Sequence, residues 1–316
     1  RGSLYTPDTF ELPDGRQVLI YLMQGTRWQI GTFNAENGTF TAETPRRGAA
    51  AAAATAATPG VAPDSVLGTT VAEAASGHEQ GLGSCGQSLT DAKGRRVQFG
   101  WQHISLGVTS GAQSLPRVIT AASSTGGGGL LFSPLPELAT LHNDSSHLAK
   151  TLTVKPSDGP GRRYTMLDPA VIDQQTGLHH HLKLNVTLSA EASGNFSLCV
   201  QCDDDHSGVA ISVLVDVTAG ALAVVVSLGG ITQPVNLLAT AAGPVGEGVH
   251  DRAGATVTVS ADVFTDGLIT ELFAGSGQVA LSHTVGSVVA SGVGYIAYGS
   301  PARVEIELWG MEQSVF

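Results

Sequence analysis

Charged side chains are scarce in this sequence, at 14 % of 316 residues, and Lys and Arg (16) are fewer than Asp and Glu (27). The net charge of −11 leaves no broad basic face to neutralise phosphates, which argues against nucleic acid as a partner. No run of about 18 apolar residues is present, so we predict no membrane span. Hydrophobic residues still make up 42 %, which excludes an extended disordered polyelectrolyte and is enough for two domains.

Sustained helical periodicity is also missing. Short runs rich in Val, Ile, Leu and Thr recur between Gly, Asp, Asn and Pro along the whole chain. This pattern predicts an all-β protein made of a sandwich, a barrel or propeller blades. The alanine-rich stretch 47–57 has no apolar stripe, and we assign it to an inserted surface loop at about 41–79. A loop of that length is unusual, so we expect disorder or a partner contact there.

The composition shifts between residues 141 and 150. Tight strand pairs with polar, Gly-rich turns precede this point, and longer apolar strands follow it. We therefore predict two unequal β domains, 1–141 and 150–316, joined by a polar linker at 142–149.

The three cysteines indicate no metal site. Cys199 and Cys202 form a C-x-x-C, but a zinc site needs a second pair of ligands at suitable spacing, and Cys85 lies alone. We interpret Cys199 and Cys202 as strand cysteines, free or bridged. No cofactor is indicated by any motif.

Four Asn-x-Ser/Thr sequons predict N-glycosylation, at Asn37, Asn143, Asn185 and Asn195. They favour a secreted protein, extracellular or vacuolar. No signal peptide is present, and the chain enters a strand-like run directly after its first three residues. We expect the true beginning of the protein to lie upstream.

Five short motifs occur in an order that resembles the family-32 glycoside hydrolases, the group of invertases and fructan hydrolases. GRRVQFGW at 94–101 is similar to that family's G-R-R-x-x-x-G-W strand, and GAQSLPR at 111–117 is similar to its G-x-Q-S-[LI]-P-R element. LLFSPLPELATLH at 130–142 resembles L-x-x-x-P-x-x-E-[LI]-x-x-L-R with a final histidine in place of arginine. LITELFAG at 268–275 and WGM at 309–311 resemble two strands of the family's second domain.

This resemblance implies a five-bladed β-propeller followed by a C-terminal β-sandwich, of which the chain would hold the last blades and the sandwich. The family releases or transfers fructosyl units with retention, using an aspartate nucleophile and a glutamate acid/base. The nucleophile motif is not among these residues. The implied partner is the set of missing N-terminal blades, on the same precursor or a separate chain, within a complete propeller or a larger assembly, and carbohydrate is a candidate ligand.

The acid/base position departs from the family. YTPDTF at 5–10 aligns with the family's E-C-P-D-F-F, so the glutamate falls on Tyr5. A phenol of pKa about 10 is a poor general acid near neutral pH, and losing that acid costs about 10²–10⁴ in rate. Asp8 is a weak substitute candidate, because a turn or hydrogen-bonding role is favoured three residues past the expected site. The sequence therefore predicts impaired catalysis.

Substrate-binding candidates are few. In SCGQSL at 84–89 the family's pocket aromatic is replaced by Ser84, and only Gln87 is kept. Trp101 and Trp28 could line a sugar pocket, although core positions are at least as expected for them.

Three further features have structural interpretations. The histidine tract at 179–181 is interpreted as surface histidines, and the acidic run at 203–205 as a hairpin turn. Arg117 is expected to form a buried ion pair, and Glu271 to lie at the interface of propeller and sandwich.

Two function hypotheses remain at this point. The first is a non-catalytic, invertase-like scaffold with a binding or assembly role. The alternative is the C-terminal portion of an active β-fructofuranosidase that hydrolyses sucrose or fructans, with its acid supplied from elsewhere.

Overall fold

The computed structural model describes most of the chain in twelve segments: residues 5–22, 26–43, 76–79, 84–105, 110–122, 129–157, 164–167, 179–202, 208–218, 221–235, 255–285 and 292–312. Most of the predicted insertion, residues 44–75, and the acidic run at 203–205 lie outside the described residues.

Nearly every described segment is β-strand, as predicted. One 3₁₀ helix spans Pro136–Leu141. The strands are β1 (Tyr5–Glu11), β2 (Gln17–Leu22), β3 (Thr26–Asn34), β4 (Thr39–Ala42), β5 (Ser76–Glu79), β6 (Ser84–Thr90), β7 (Arg96–Ser105), β8 (Ser110–Gln113), β9 (Arg117–Ala121), β10 (Leu130–Pro134), β11 (His142–Val154), β12 (Thr165–Met166), β13 (His179–Ser189), β14 (Gly194–Cys202), β15 (Val209–Thr218), β16 (Ala221–Leu228), β17 (Ile231–Val235), β18 (Thr256–Asp266), β19 (Ile269–Ala274), β20 (Val279–Thr284), β21 (Gly292–Tyr298) and β22 (Ala302–Met311).

The first ten strands form two antiparallel sheets, which we call blade 1 and blade 2. Blade 1 has the order β1-β2-β3-β4 with β5 beside β3, and blade 2 has the order β6-β7-β9-β10 with β8 beside β7. The first hairpin of each blade turns at a glycine of positive φ, Gly15 at 83° and Gly94 at 77°. These glycines allow tight turns that other residues adopt only with strain.

The remaining twelve strands form a β-sandwich. One sheet has the order β11-β22-β13-β18-β19-β20, and the other has β12-β21-β14-β15-β16-β17. Strand β22 shows why two layers form, because its residues alternate between buried and exposed along most of its length. One face of each sheet therefore has to be covered by the other.

The predicted linker at 142–149 is wrong. These residues form the first half of β11, which pairs with β22 at the edge of the first sandwich sheet. The strand has an irregularity between Asn143 and Leu148. A polar sequence suits an edge strand, since most of its side chains face solvent.

Each blade presents one buried face to the rest of the molecule. Trp28 and Ile30 of blade 1 join Ile119 and Leu130 of blade 2 in one cluster. Phe264 and its sandwich neighbours complete that cluster. The blades therefore share their core with the sandwich.

Within the described residues, no helix is long and apolar enough to cross a membrane.

Candidate functional site

The strand that carries the predicted acid/base position is β1. Tyr5 opens this strand and pairs through its backbone with Leu22, and the register shifts between Tyr5 and Asp8. The side chain of Tyr5 lies outside the described residues, so its role stays a sequence prediction.

Asp8 joins the two blades. The Ser88 N–H donates to Asp8 Oδ2 at 2.8 Å, and the Ser88 hydroxyl donates to the same oxygen. The Arg96 guanidinium donates to Asp8 Oδ1 at 3.2 Å and to Ser88 Oγ at 2.7 Å. The same guanidinium lies 4.5 Å from the centre of the Phe10 ring. Asp8 therefore has the hydrogen-bonding role that the sequence favoured for it.

Gln87 and Trp101 lie on the other face of blade 2. Gln87 pairs with Phe99, which shares its face with Trp101 because side chains alternate along a strand. Trp101 is 36 % exposed, and a Cβ atom at Gly111 would lie 2.1 Å from its indole Nε1. The indole thus rests on Gly111. Ser88 and Arg96 contact Asp8 from the opposite face of this sheet, so the structure does not bring Asp8, Gln87 and Trp101 into one pocket.

Trp28 is a core residue, the second of the two roles that its sequence left open. It is 1 % exposed and packs in the cluster shared by the blades and the sandwich. Its ring therefore faces protein rather than an open subsite.

Arg117 forms the buried ion pair expected for it, and its partner, which the sequence did not identify, is Glu271 of the sandwich. Their side chains are 0 % and 1 % exposed, and the guanidinium also donates to Ser282 Oγ at 2.7 Å. The Leu115 N–H donates to Glu271 Oε1 at 2.6 Å, and the Phe273 ring lies 5.2 Å from the guanidinium carbon. Glu271 is thus an interface residue, as the family resemblance implied.

A cavity of about 20 Å³ lies beside this ion pair, lined by residues that include Gln113, Leu115 and Glu271. A space of this size holds one water molecule. It is far too small for a sugar ring.

The histidine tract differs from the prediction of surface histidines. His180 is 0 % and His181 is 4 % exposed, while His179 pairs with Asp266 at 2.7 Å. His181 is covered by the Phe264 ring, with ring centres 3.9 Å apart. Side chains alternate along β13, so His181 lies on the face opposite the inward-facing residues. It is nevertheless buried, because it stacks on Phe264 of the neighbouring strand. His181 also lies opposite Trp309 across the sheet, a register that the histidine tract by itself does not reveal.

The predicted sequons have two kinds of local structure. Asn37 lies in the exposed turn between β3 and β4, and its Oδ1 accepts hydrogen bonds from the Thr39 N–H and hydroxyl. Asn143 accepts the same pair of bonds from Ser145. Asn185 and Asn195 lie within β13 and β14.

The cysteine pair that the sequence left free or bridged is a disulfide in this structure. Cys199 and Cys202 are bonded, with their Cα atoms 5.9 Å apart, and both are buried. Among the described residues, no group of three or more His, Cys, Asp or Glu side chains could hold a metal ion.

No protein-family model matches the sequence. No curated protein matches it either.

Solved structures do match. The chain superposes on fructan 1-exohydrolase IIa from Cichorium intybus with a TM-score of 0.68 at 15 % identity, covering 98 % of this chain and 62 % of that one. Exo-inulinase from Aspergillus awamori gives 0.56 at 15 % identity, covering 98 % and 57 %. The family-32 β-fructofuranosidase from Bombyx mori gives 0.54 at 16 % identity, covering 98 % and 54 %.

This similarity shows the fold. The chain has the partial propeller and β-sandwich of the C-terminal part of the family-32 enzymes, which confirms the fold expected from the motifs. It spans 62 % of the length of the Cichorium protein.

Proposed function

We propose that this chain is the C-terminal part of an invertase-like scaffold that has lost efficient glycoside hydrolysis and serves binding or assembly. The observation that carries the proposal is a tyrosine, Tyr5, at the position where the family's motif has its acid/base glutamate. Retaining hydrolysis needs a carboxylic acid that protonates the leaving oxygen and then deprotonates water.

Among the described side chains of β1, neither carboxylate is a ready replacement for the acid. Asp8 is the nearest carboxylate on β1, and both its oxygens accept hydrogen bonds from Ser88 or Arg96. Breaking these bonds to serve as an acid would also loosen the contact between the blades. Glu11, further along β1, is exposed at the solvent side of the hairpin.

The direct test is fructose release from sucrose and inulin by the full natural polypeptide. We expect no release above the buffer blank, with the fold verified by circular dichroism. A turnover in the usual enzyme range of about 1–10³ s⁻¹ would overturn the proposal. In that case Tyr5→Phe, compared with Thr9→Ser on the same strand, would show whether the phenol takes part.

The assembly role has its own support in the outer faces of the blades. Leu89 is 50 % exposed and Trp101 36 % exposed on blade 2, and Phe33 is 45 % exposed on blade 1. Large apolar side chains gathered on a sheet face are typical of interaction surfaces. We propose that further propeller blades cover these faces, supplied by an N-terminal part of the same precursor or by a separate chain.

A pair of matched substitutions tests this assignment. Leu89→Lys and Leu214→Lys each put a charge at an exposed leucine, the second on the sandwich at 38 % exposure. In the full polypeptide, only Leu89→Lys is expected to lower the melting temperature, because only that site would be covered by another blade. Equal melting temperatures for the two variants would contradict the proposed cover.

A further inference from the structure

An imidazole pair lies where blade 2 passes into the sandwich. His142 directly follows the 3₁₀ helix and opens β11, and His181 lies on β13. His142 Nε2 and His181 Nδ1 are 2.8 Å apart. His181 Nε2 lies 2.9 Å from Asp262 Oδ1 on β18.

These two distances determine where the protons are. Because a carboxylate only accepts, the bond to Asp262 places a proton on His181 Nε2. In neutral His181 the Nδ1 is then the acceptor, and His142 donates to it from Nε2. After one proton is added, the bond can reverse, so that His181 donates from Nδ1 and His142 accepts at Nε2. Two added protons leave both nitrogens as donors, so the bond between the rings breaks.

Ring stacking connects this pair to two parts of the molecule. His142 stacks on Trp309 of β22 with ring centres 4.5 Å apart and an angle of 9° between planes, and His147 stacks on Trp309 at 4.8 Å. His181 stacks on Phe264, which belongs to the core shared with the blades. A break between the rings would therefore remove the side-chain link between the start of β11 and that core, leaving its backbone pairing with β22.

The charges around the pair oppose a second proton. Lys183 on β13 and His147 on β11 face His142, together with Asp144 on β11, while β22 presents Trp309 and β18 presents Asp262. Burial lowers the pKa of His142 below its ordinary value, His181 and Lys183 lower it further, and Asp144 opposes them.

We propose that His142 and His181 form a proton-operated latch, closed near neutral pH and opened in acid, which holds the start of β11 to the sandwich at its junction with blade 2. This device goes beyond the proposed function, since it does not depend on whether the protein cleaves sugars. When it opens, His142 loses its bond to His181. Residues 142–148, which pair with β22 only at His142, Asn143 and Leu148, are then held more loosely than the rest of β11.

The sign of the pH effect follows from the direction of the His142 shift. An imidazole of the unfolded chain titrates near 6.5, and the folded state disfavours the protonated form. The stabilisation is therefore complete above about pH 6.5 and is lost as the pH falls below it.

The test is hydrogen exchange of residues 142–148 in the full protein at pH 7.5 and pH 5.0, corrected for intrinsic rates. We expect severalfold faster exchange at pH 5.0 than at pH 7.5 in the wild type, because the bond between the rings is lost in acid. His142→Phe keeps a ring on Trp309 but cannot titrate, so the pH difference should vanish. His147→Phe is the matched control and should retain it. An equal pH difference in wild type and His142→Phe would overturn the latch.

If His142→Phe does not fold, ¹⁵N chemical shifts of the imidazole nitrogens in the wild type decide the question. The latch requires a protonated Nε2 and a bare Nδ1 on His142 at pH 7.5. The reverse tautomer on His142 would overturn it.

Discussion

The blades and the sandwich bury their cores in different ways. The sandwich packs two six-stranded sheets against each other, and among the described residues its main cluster consists of sandwich residues, such as Leu198 and Leu308. The inner core of the blades includes Phe264 and Phe273 from the sandwich, while Leu89 on the opposite face of blade 2 is half exposed. The main core of the sandwich thus lies between its own two sheets, whereas each blade has one face buried in the shared core and one face with exposed apolar side chains.

The difference shows how stability is divided between the regions. A sheet with one uncovered apolar face gains less from burial than a sheet inside a sandwich. The blades compensate with polar links, namely Asp8 with Arg96 between them and Arg117 with Glu271 to the sandwich. Breaking these links one at a time measures how far the blades depend on their neighbours.

The largest effect is expected from Glu271→Ala. Removing this carboxylate leaves Arg117 charged and buried, which typically costs about 3–5 kcal/mol in the free energy of unfolding. Urea unfolding would show it as a lower midpoint, with the blades melting before the sandwich. Replacing both residues, Arg117→Met with Glu271→Leu, should restore much of the loss. A single mutant as stable as the wild type would show that the blades do not depend on this ion pair.

The next largest effect is expected from truncating a core side chain in blade 2. Comparing substitutions on its two faces shows which face is buried. Leu130→Ala, at a 0 % exposed position, is expected to cost about 2–5 kcal/mol because a cavity remains in the shared core. Leu89→Ala on the open face of the same sheet should change stability of the isolated chain by no more than about 0.5 kcal/mol. Chemical denaturation of the two variants side by side measures the contrast, and equal losses would mean that the outer face is already covered.

Asp8→Ala is expected to have an intermediate effect of about 1–3 kcal/mol, since it leaves the Ser88 N–H and the Arg96 guanidinium without their acceptor. Thermal unfolding followed by circular dichroism measures the loss. The matched control is Asp14→Ala, an aspartate at an exposed turn that pairs with Arg16 at 2.7 Å. If both substitutions cost the same, Asp8 does not join the blades.

The smallest effect is expected from Glu137, in how the melting temperature depends on pH in the acid range. Arg95 and Lys93 lower the pKa of Glu137 from 4.5 to about 2. A carboxyl group whose pKa is lowered by folding stabilises the protein above its unfolded pKa, and this contribution is lost as the pH falls from about 4.5 towards 2. Glu137→Gln should therefore lower the melting temperature slightly at neutral pH, leave it unchanged near pH 2, and so flatten its fall between these two values. A parallel profile for wild type and variant would contradict this role.

Much of the fold was predictable because it depends on local sequence patterns. Alternation of apolar and polar residues marked strands such as β22, and the ordered motifs identified the propeller and the sandwich. The error at 142–149 arose because a polar sequence forms a strand when it lies at a sheet edge, and composition alone does not reveal an edge. Of the candidate site, a buried anionic partner for Arg117 was anticipated, since a buried cation requires one, but its identity as Glu271 was not.

What the sequence by itself determined is the strand pattern and the fold, because each depends on residue type at a known spacing. The assignment of Tyr5 to the family's acid/base position stays a prediction from the sequence. Only the tertiary structure decided which side chains meet. Asp8 lies against blade 2, Gln87 and Trp101 lie on the opposite face of that sheet, and His142 pairs with a histidine 39 residues away in the chain. Such contacts depend on how distant strands are placed side by side, and a local pattern carries no information about that placement.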